Sequence, residues 1–124
     1  MKQQVSTNDA PGAPFLSQAV VSGNTIYVSG QIHNKPDGSI VEGSVKEKLD
    51  QIMQNIAAIL KAAAATPDDI VKVVIYVTDM AQMPELNEVY PTYFEKPFPV
   101  REAVCVAALP LGATIEVSVI ASKN

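Results

Sequence analysis

Arg101 and Glu116 are the two side chains whose types and settings could do chemistry. Arg101 sits in Pro97-Phe98-Pro99-Val100-Arg101-Glu102-Ala103-Val104, and a guanidinium in so apolar a run is costly to bury without an anion. Two roles would satisfy it: an ion pair with Glu102 or Glu116, within the chain or across a subunit boundary, or capture of a ligand carboxylate. Glu102 is adjacent, so on a strand it points to the opposite face and is a poor partner. Glu116 is better placed if the last two strands pair as a hairpin. Its neighbours Ile115 and Val117 suggest a carboxylate at the edge of an apolar pocket. Burial there raises a carboxylate pKa and a nearby guanidinium lowers it, which leaves a poised acid or base as one reading.

The remaining reactive residue types are few. His33 borders the turn-rich segment Asn34-Lys35-Pro36-Asp37-Gly38 and is expected to be solvent-exposed rather than catalytic. Cys105 shares Arg101's strand face by period two, which would bring it near a pocket, yet between Val104 and Val106 it also reads as a small buried hydrophobe. No nucleophile role is assigned to it. Gly30 and Gly38 fit neither phosphate-binding glycine pattern, so no nucleotide cofactor is expected.

Composition excludes several classes. The 124 residues are 48% hydrophobic and 18% charged, which suits one globular domain spanning 1–124. Thirteen acidic against nine basic residues give a net charge of −4 without a basic cluster, so a nucleic-acid partner is not expected. One cysteine and one histidine allow neither an intrachain disulfide nor a Cys/His zinc site within a chain, and no metal is expected. No signal-peptide core and no stretch long enough to span a membrane is seen, so the expected location is cytoplasmic.

The elements that must position these residues follow from pattern. Ala19 to Val21 and Ile26 to Val28 flank Ser22-Gly23-Asn24, a predicted hairpin turn. Ser44 and Glu47 fit a capping box before Val45, Leu49, Ile52, Ile56, Ile59, Leu60 and Ala63, whose spacing predicts an amphipathic helix. Thr66-Pro67-Asp68-Asp69 reads as a capped turn leading into a buried strand over 71–77. A second helix is predicted over 84–94, with Pro91 inside it removing one hydrogen bond. Two last strands, 101–109 and 113–121, joined by Pro110-Leu111-Gly112, complete ββαβαββ with an optional N-terminal strand. The fold class is α+β, two helices on one face of a mixed sheet. The other face would carry Val104 and Val106, which points to an oligomer.

In sequence the chain resembles, over nearly its full length, the Rid (YjgF) family of reactive-intermediate imine deaminases. The matching blocks are Ser17-Gln18-Ala19-Val20, Val28-Ser29-Gly30-Gln31-Ile32, Asn87-Glu88-Val89-Tyr90 with Tyr93-Phe94, Phe98 to Val104, and Leu109-Pro110 with Ile115-Glu116-Val117. The resemblance implies a chorismate-mutase-like domain, a homotrimer whose sheets form a central barrel, and ligand clefts between subunits. It also implies cofactor-independent hydrolysis of small carboxylate-bearing enamines and imines, of the 2-aminoacrylate type, to 2-keto acids and ammonia. On that basis Arg101 grips the substrate carboxylate and Glu116 positions or activates the attacking water. Gly30 and Ala103 help orient the substrate, and Ser29, Asn87 and Cys105 line or support the pocket. One position departs from the family pattern: Pro14-Phe15-Leu16-Ser17 puts Leu16 where a tyrosine is usual, and leucine offers no hydroxyl. That departure favours a second reading, a catalytically weak carboxylate-binding or regulatory member. RNA cleavage with inhibition of translation, also implied by the family, is the weakest reading, given the acidic balance.

Overall fold

The computed structural model describes residues 1–123. Strand β1 (Gln3–Val5) is the N-terminal addition the pattern allowed. Strands β2 (Ala19–Ser22) and β3 (Thr25–Ile32) form the expected hairpin, closed by a Ser22–Thr25 pair over a two-residue turn in which Gly23 takes φ +60°. A residue with a Cβ pays for that left-handed geometry and glycine does not.

Helix α1 (Val45–Ala62) starts where its cap demands. The Ser44 hydroxyl accepts from the Glu47 amide at 3.2 Å, and the Glu47 carboxylate accepts from the Ser44 amide at 3.1 Å. Leu49, Ile52, Ile56, Ile59 and Leu60 are fully buried, as the periodicity predicts. Each such side chain contributes about 1.5–3 kcal/mol relative to an exposed position. They pack on Val73, Ile75 and Val77 of strand β4 (Ile70–Val77) and on Ile115, Val117 and Val119 of strand β6 (Ile115–Ser122).

The predicted second helix divides. Helix α2 (Met83–Val89) gives way to a tighter 3-10 turn over Tyr90–Tyr93, because Pro91 cannot donate the hydrogen bond that would continue it. Leu86 and Tyr90 face the core, with Tyr93 and Phe94 half-buried beside them.

The six strands lie in the order β1-β2-β3-β6-β4-β5, where β5 is Val100–Cys105. The expected pairing of the last two strands does not occur. Strand β5 runs parallel to β4, with Arg101 opposite Val73 and Cys105 opposite Val77, and β6 lies antiparallel on the far side of β4. The chain leaves β5 at Cys105 and needs the 106–114 segment to cross to the other edge of β4, so no hairpin can form. One sheet face is covered by α1 and α2. The other carries Val100, Val104 and Tyr27, all exposed in the single chain, beside half-buried Tyr76 and Ile120.

Candidate functional site

Register decides which site residues can meet. Arg101, Ala103 and Cys105 pair with Val73, Ile75 and Val77, residues buried under the helices, so all three sit on the helix side of β5. Glu116 pairs with Tyr76 and lies on the opposite face. The ion pair between Arg101 and Glu116 considered from sequence is therefore absent, and Glu102 is engaged instead by Lys72 at 3.3 Å. Among the described residues Arg101 has no carboxylate partner; its guanidinium lies over the Tyr90 ring, 5.0 Å from the centroid. Burial raises the Tyr90 phenol and the Arg101 charge acts against it. The Tyr90 hydroxyl is buried and has no hydrogen-bond partner among the described residues.

On the other side of the molecule, a cleft of about 410 Å³ brings together Leu16, Ser29, Gly30 and Glu116, with Phe15, Ile32, Asn34, Pro110 and Leu111 as further walls. Three devices build it. A β-bulge interrupts the β3–β6 pairing between Val28 and Gln31, and Gly30 within it lies against Glu116. Gly30 then leaves room for the carboxylate: a Cβ there would stand 2.5 Å from Glu116 Oε2. The N-terminal segment is tied down by Gln18, whose buried amide donates to the carbonyls of Thr7 (3.0 Å), Ala10 (3.0 Å) and Pro11 (2.9 Å) and accepts from the Thr7 amide at 2.7 Å. Ser29 completes the tie, its hydroxyl donating to the Ser17 carbonyl at 2.6 Å and its amide to that of Gln18 at 2.9 Å.

Glu116 is half-buried, and desolvation holds its carboxyl above the ordinary value. The competition between burial and a guanidinium posed by the sequence is settled in favour of burial within one chain, since Arg101 is on the other face. Such a carboxylate is a better base than an exposed one.

Not every expected residue joins this cleft. Asn87 is exposed on α2, and Ala103 and Cys105 lie along β5 with Arg101. Cys105 is exposed rather than a buried hydrophobe, at the C-terminal end of the edge strand β5. His33 is corrected in the other direction: it is 1% exposed, not solvated. The turn residues that follow it are exposed, but its ring folds inward to bond Val41 and Thr114. Sequence reasoning missed Phe15, Pro110 and Leu111 as walls. The available signal was Pro110-Leu111-Gly112, where Leu111 takes φ +57°, a left-handed conformation that costs a non-glycine residue about 1–3 kcal/mol. No three His, Cys, Asp or Glu side chains cluster closely enough to hold a metal ion among the described residues, and none of their helices is long and apolar enough to cross a membrane.

A family model described as Endoribonuclease L-PSP matches residues 7–123. The chain belongs to this family, the Rid (YjgF) family. The human 2-iminobutanoate/2-iminopropanoate deaminase is 42% identical over 127 residues, covering 100% of this chain and 92% of that protein. The crystal structure of yeast Mmf1 superposes with a TM-score of 0.96 at 42% identity, covering 100% of both chains. Escherichia coli TdcF, solved with bound serine, superposes at 0.91 and 32% identity, covering 98% of this chain and 99% of that one. The Rid-family fold inferred from the sequence blocks, two helices packed on a mixed six-stranded sheet, is thus borne out.

Proposed function

We propose that this Rid-family protein hydrolyses small enamine and imine intermediates bearing a carboxylate, of the 2-aminoacrylate type, to 2-keto acids and ammonia without a cofactor. The observation that carries the reading is Glu116: a half-buried carboxylate with a raised pKa, set against Gly30 at the mouth of a mostly apolar cleft. Relatives named as imine deaminases at about the same identity over the whole chain support it, and the serine bound to TdcF is a small carboxylate of the right class.

In the reaction, Glu116 takes a proton from water as the water oxygen bonds to the imine carbon. The C=N π electrons move to nitrogen, which is protonated, giving a carbinolamine. Collapse of that adduct breaks the C–N bond, releases ammonia and leaves the 2-keto acid. A protonated imine is already electrophilic, so orientation and one placed water supply most of what is required.

Arg101 captures the substrate carboxylate through a planar two-pronged contact. Since Arg101 and Glu116 occupy opposite faces of one sheet, the complete site needs Arg101 from one subunit and Glu116 from another. A homotrimer formed through the exposed apolar sheet face supplies that arrangement, with Asn87, Ala103 and Cys105 on the Arg101 side and Leu16, Ser29 and Gly30 on the Glu116 side.

A second reading is a carboxylate-binding or regulatory member with little turnover, favoured by Leu16 in the cleft where the family pattern has tyrosine. The deciding assay measures ammonia and keto-acid release from imines generated in place by an amino-acid oxidase, across several parent amino acids. Release above the buffer rate supports the deaminase; tight carboxylate binding without release supports the second reading. Salt-dependent RNA binding is expected to be absent at a net charge of −4.

A further inference from the structure

The imidazole of His33 is fully buried and has no part in the proposed chemistry, yet it joins two walls of the Glu116 cleft. Its Nδ1 lies 2.9 Å from the Val41 carbonyl oxygen, and its Nε2 lies 3.0 Å from the Thr114 amide nitrogen. A carbonyl only accepts and an amide N–H only donates, so the tautomer is fixed: Nδ1 carries the proton and the Nε2 lone pair receives Thr114. Thr114 is held from other sides as well. Its hydroxyl accepts from Lys48 Nζ at 2.9 Å, and its carbonyl accepts from the Thr78 amide and from Gln82 Nε2, both at 3.2 Å.

Both ends of this clamp are cleft walls. Asn34 directly follows His33, and its carbonyl is pinned by Asn55 Nδ2 at 2.8 Å. Pro110 and Leu111 precede Thr114 in a turn closed by the Ala113 amide donating to the Pro110 carbonyl at 3.0 Å. Leu111 is a non-glycine residue in the left-handed region, a conformation that persists only where its surroundings impose it. We propose that His33 is a positioning residue that holds the Pro110–Leu111 wall through Thr114, and that this wall sets the grip on an apolar substrate side chain. The proposal rests on the reading of the cleft as a substrate site.

Protonation of the ring would convert Nε2 from acceptor to donor and set it against the Thr114 N–H, releasing the wall. Burial is the main cause that pushes His33 below its ordinary value. Lys48 from α1 acts in the same direction, while Glu42 and the Val41 hydrogen bond act against it. The clamp is therefore closed at neutral pH and opens on acidification.

The test follows the Thr114 amide by hydrogen exchange in the wild type, in His33→Leu, and in His33→Gln, whose amide has a similar reach and cannot titrate. Losing one hydrogen bond should lower Thr114 protection roughly ten-fold in His33→Leu at neutral pH, and in the wild type only at a pH below the ordinary histidine range, while His33→Gln stays flat. The β6 amides that follow should hold steady. In the same proteins, KM for a leucine-derived imine should rise roughly five-fold in His33→Leu with kcat nearly unchanged, and return in His33→Gln, whereas an alanine-derived imine should respond little. Wild-type protection that stays flat from pH 8 down to the onset of acid unfolding would overturn the clamp, a result available even if His33→Leu does not fold. Equal losses for the leucine and alanine imines would overturn the positioning role. If the wild type turns over no imine, the deaminase reading fails on its own; the clamp is then decided by Thr114 protection and by the affinity for 4-methyl-2-oxopentanoate relative to pyruvate.

Discussion

Arg101 and Glu116 lie on opposite faces of one sheet with strand β4 between them. Two strand spacings separate them laterally, about 10 Å, and three residues of register add about 10 Å along the strands. A single small imine cannot span that gap through the sheet. Sedimentation equilibrium at micromolar concentration should give three times the 13.2 kDa chain mass, and a monomer would remove the proposed site. A sharper check mixes two inactive variants, Arg101→Lys and Glu116→Gln, under subunit exchange. Sites assembled between subunits should regain about a quarter of wild-type activity by random assortment, whereas sites confined to one subunit would regain none.

Arg101→Lys alone should lose most activity although charge is kept. A charge-assisted hydrogen bond is worth roughly 1.5–3 kcal/mol, on the order of ten- to a hundred-fold in rate. The cost to folding should be small: Arg101 is exposed and forms no ion pair among the described residues, and its stacking on Tyr90 is worth about 0.5–1 kcal/mol at such a site. Wild-type turnover in this variant would sink the carboxylate-capture role.

Gly30→Ala tests the other half of the site. The new methyl would sit 2.5 Å from Glu116 Oε2 and 2.9 Å from Cδ, so the carboxylate must swing away. A misplaced base typically costs on the order of a hundred-fold in rate. Since the displaced group is the end of a flexible side chain, the melting temperature should fall by only a few degrees. Retained kcat would mean that Glu116 does not work from this position.

The pH dependence follows from the sign of the Glu116 shift. Its folded pKa is raised by desolvation, so the acidic limb of kcat/KM should fall at a pH above the ordinary carboxylate range. Stability runs the other way. Between the unfolded and folded pKa values the folded state holds the extra proton, so stability drops as pH rises through that window. Glu116→Gln should flatten this slope in denaturant midpoints measured from pH 4 to 7. An unchanged slope would show that burial at Glu116 is not felt in the folding equilibrium.

Much of the scaffold was legible because it rests on local rules. The Ser44–Glu47 capping box and the face through Leu49, Ile52 and Ile56 specify α1 without tertiary information. Strand pairing was less so: nothing local in Val100 to Cys105 says that it joins β4 in parallel rather than β6 as a hairpin. His33 was misread because its neighbours are turn residues, and its inward partners, Val41 and Thr114, are backbone groups that any sequence would offer. Gln18 shows the same limit, since its carbonyl partners have no side-chain signature. The half-buried setting of Glu116 was legible from Ile115 and Val117, but its separation from Arg101 required the sheet register.

Leu16 gives the prediction most particular to this chain. It lines the cleft with Glu116 and is 45% exposed there, beside the apolar walls Phe15 and Leu111. Burying a substrate side chain against it is worth about 25 cal/mol per Å² of contact, and leucine offers no hydrogen bond to a polar substituent. The wild type should therefore prefer imines of leucine over those of glutamine. Leu16→Tyr should move the preference toward smaller or more polar substrates and raise turnover, by placing a hydroxyl donor near the reacting groups. Because the segment is anchored by Gln18 and Ser29 rather than by Leu16 itself, the substitution should leave the fold intact. Comparing kcat/KM for the imines of alanine, leucine and glutamine in both proteins decides the matter: the same ranking in each would show that Leu16 does not read the substrate.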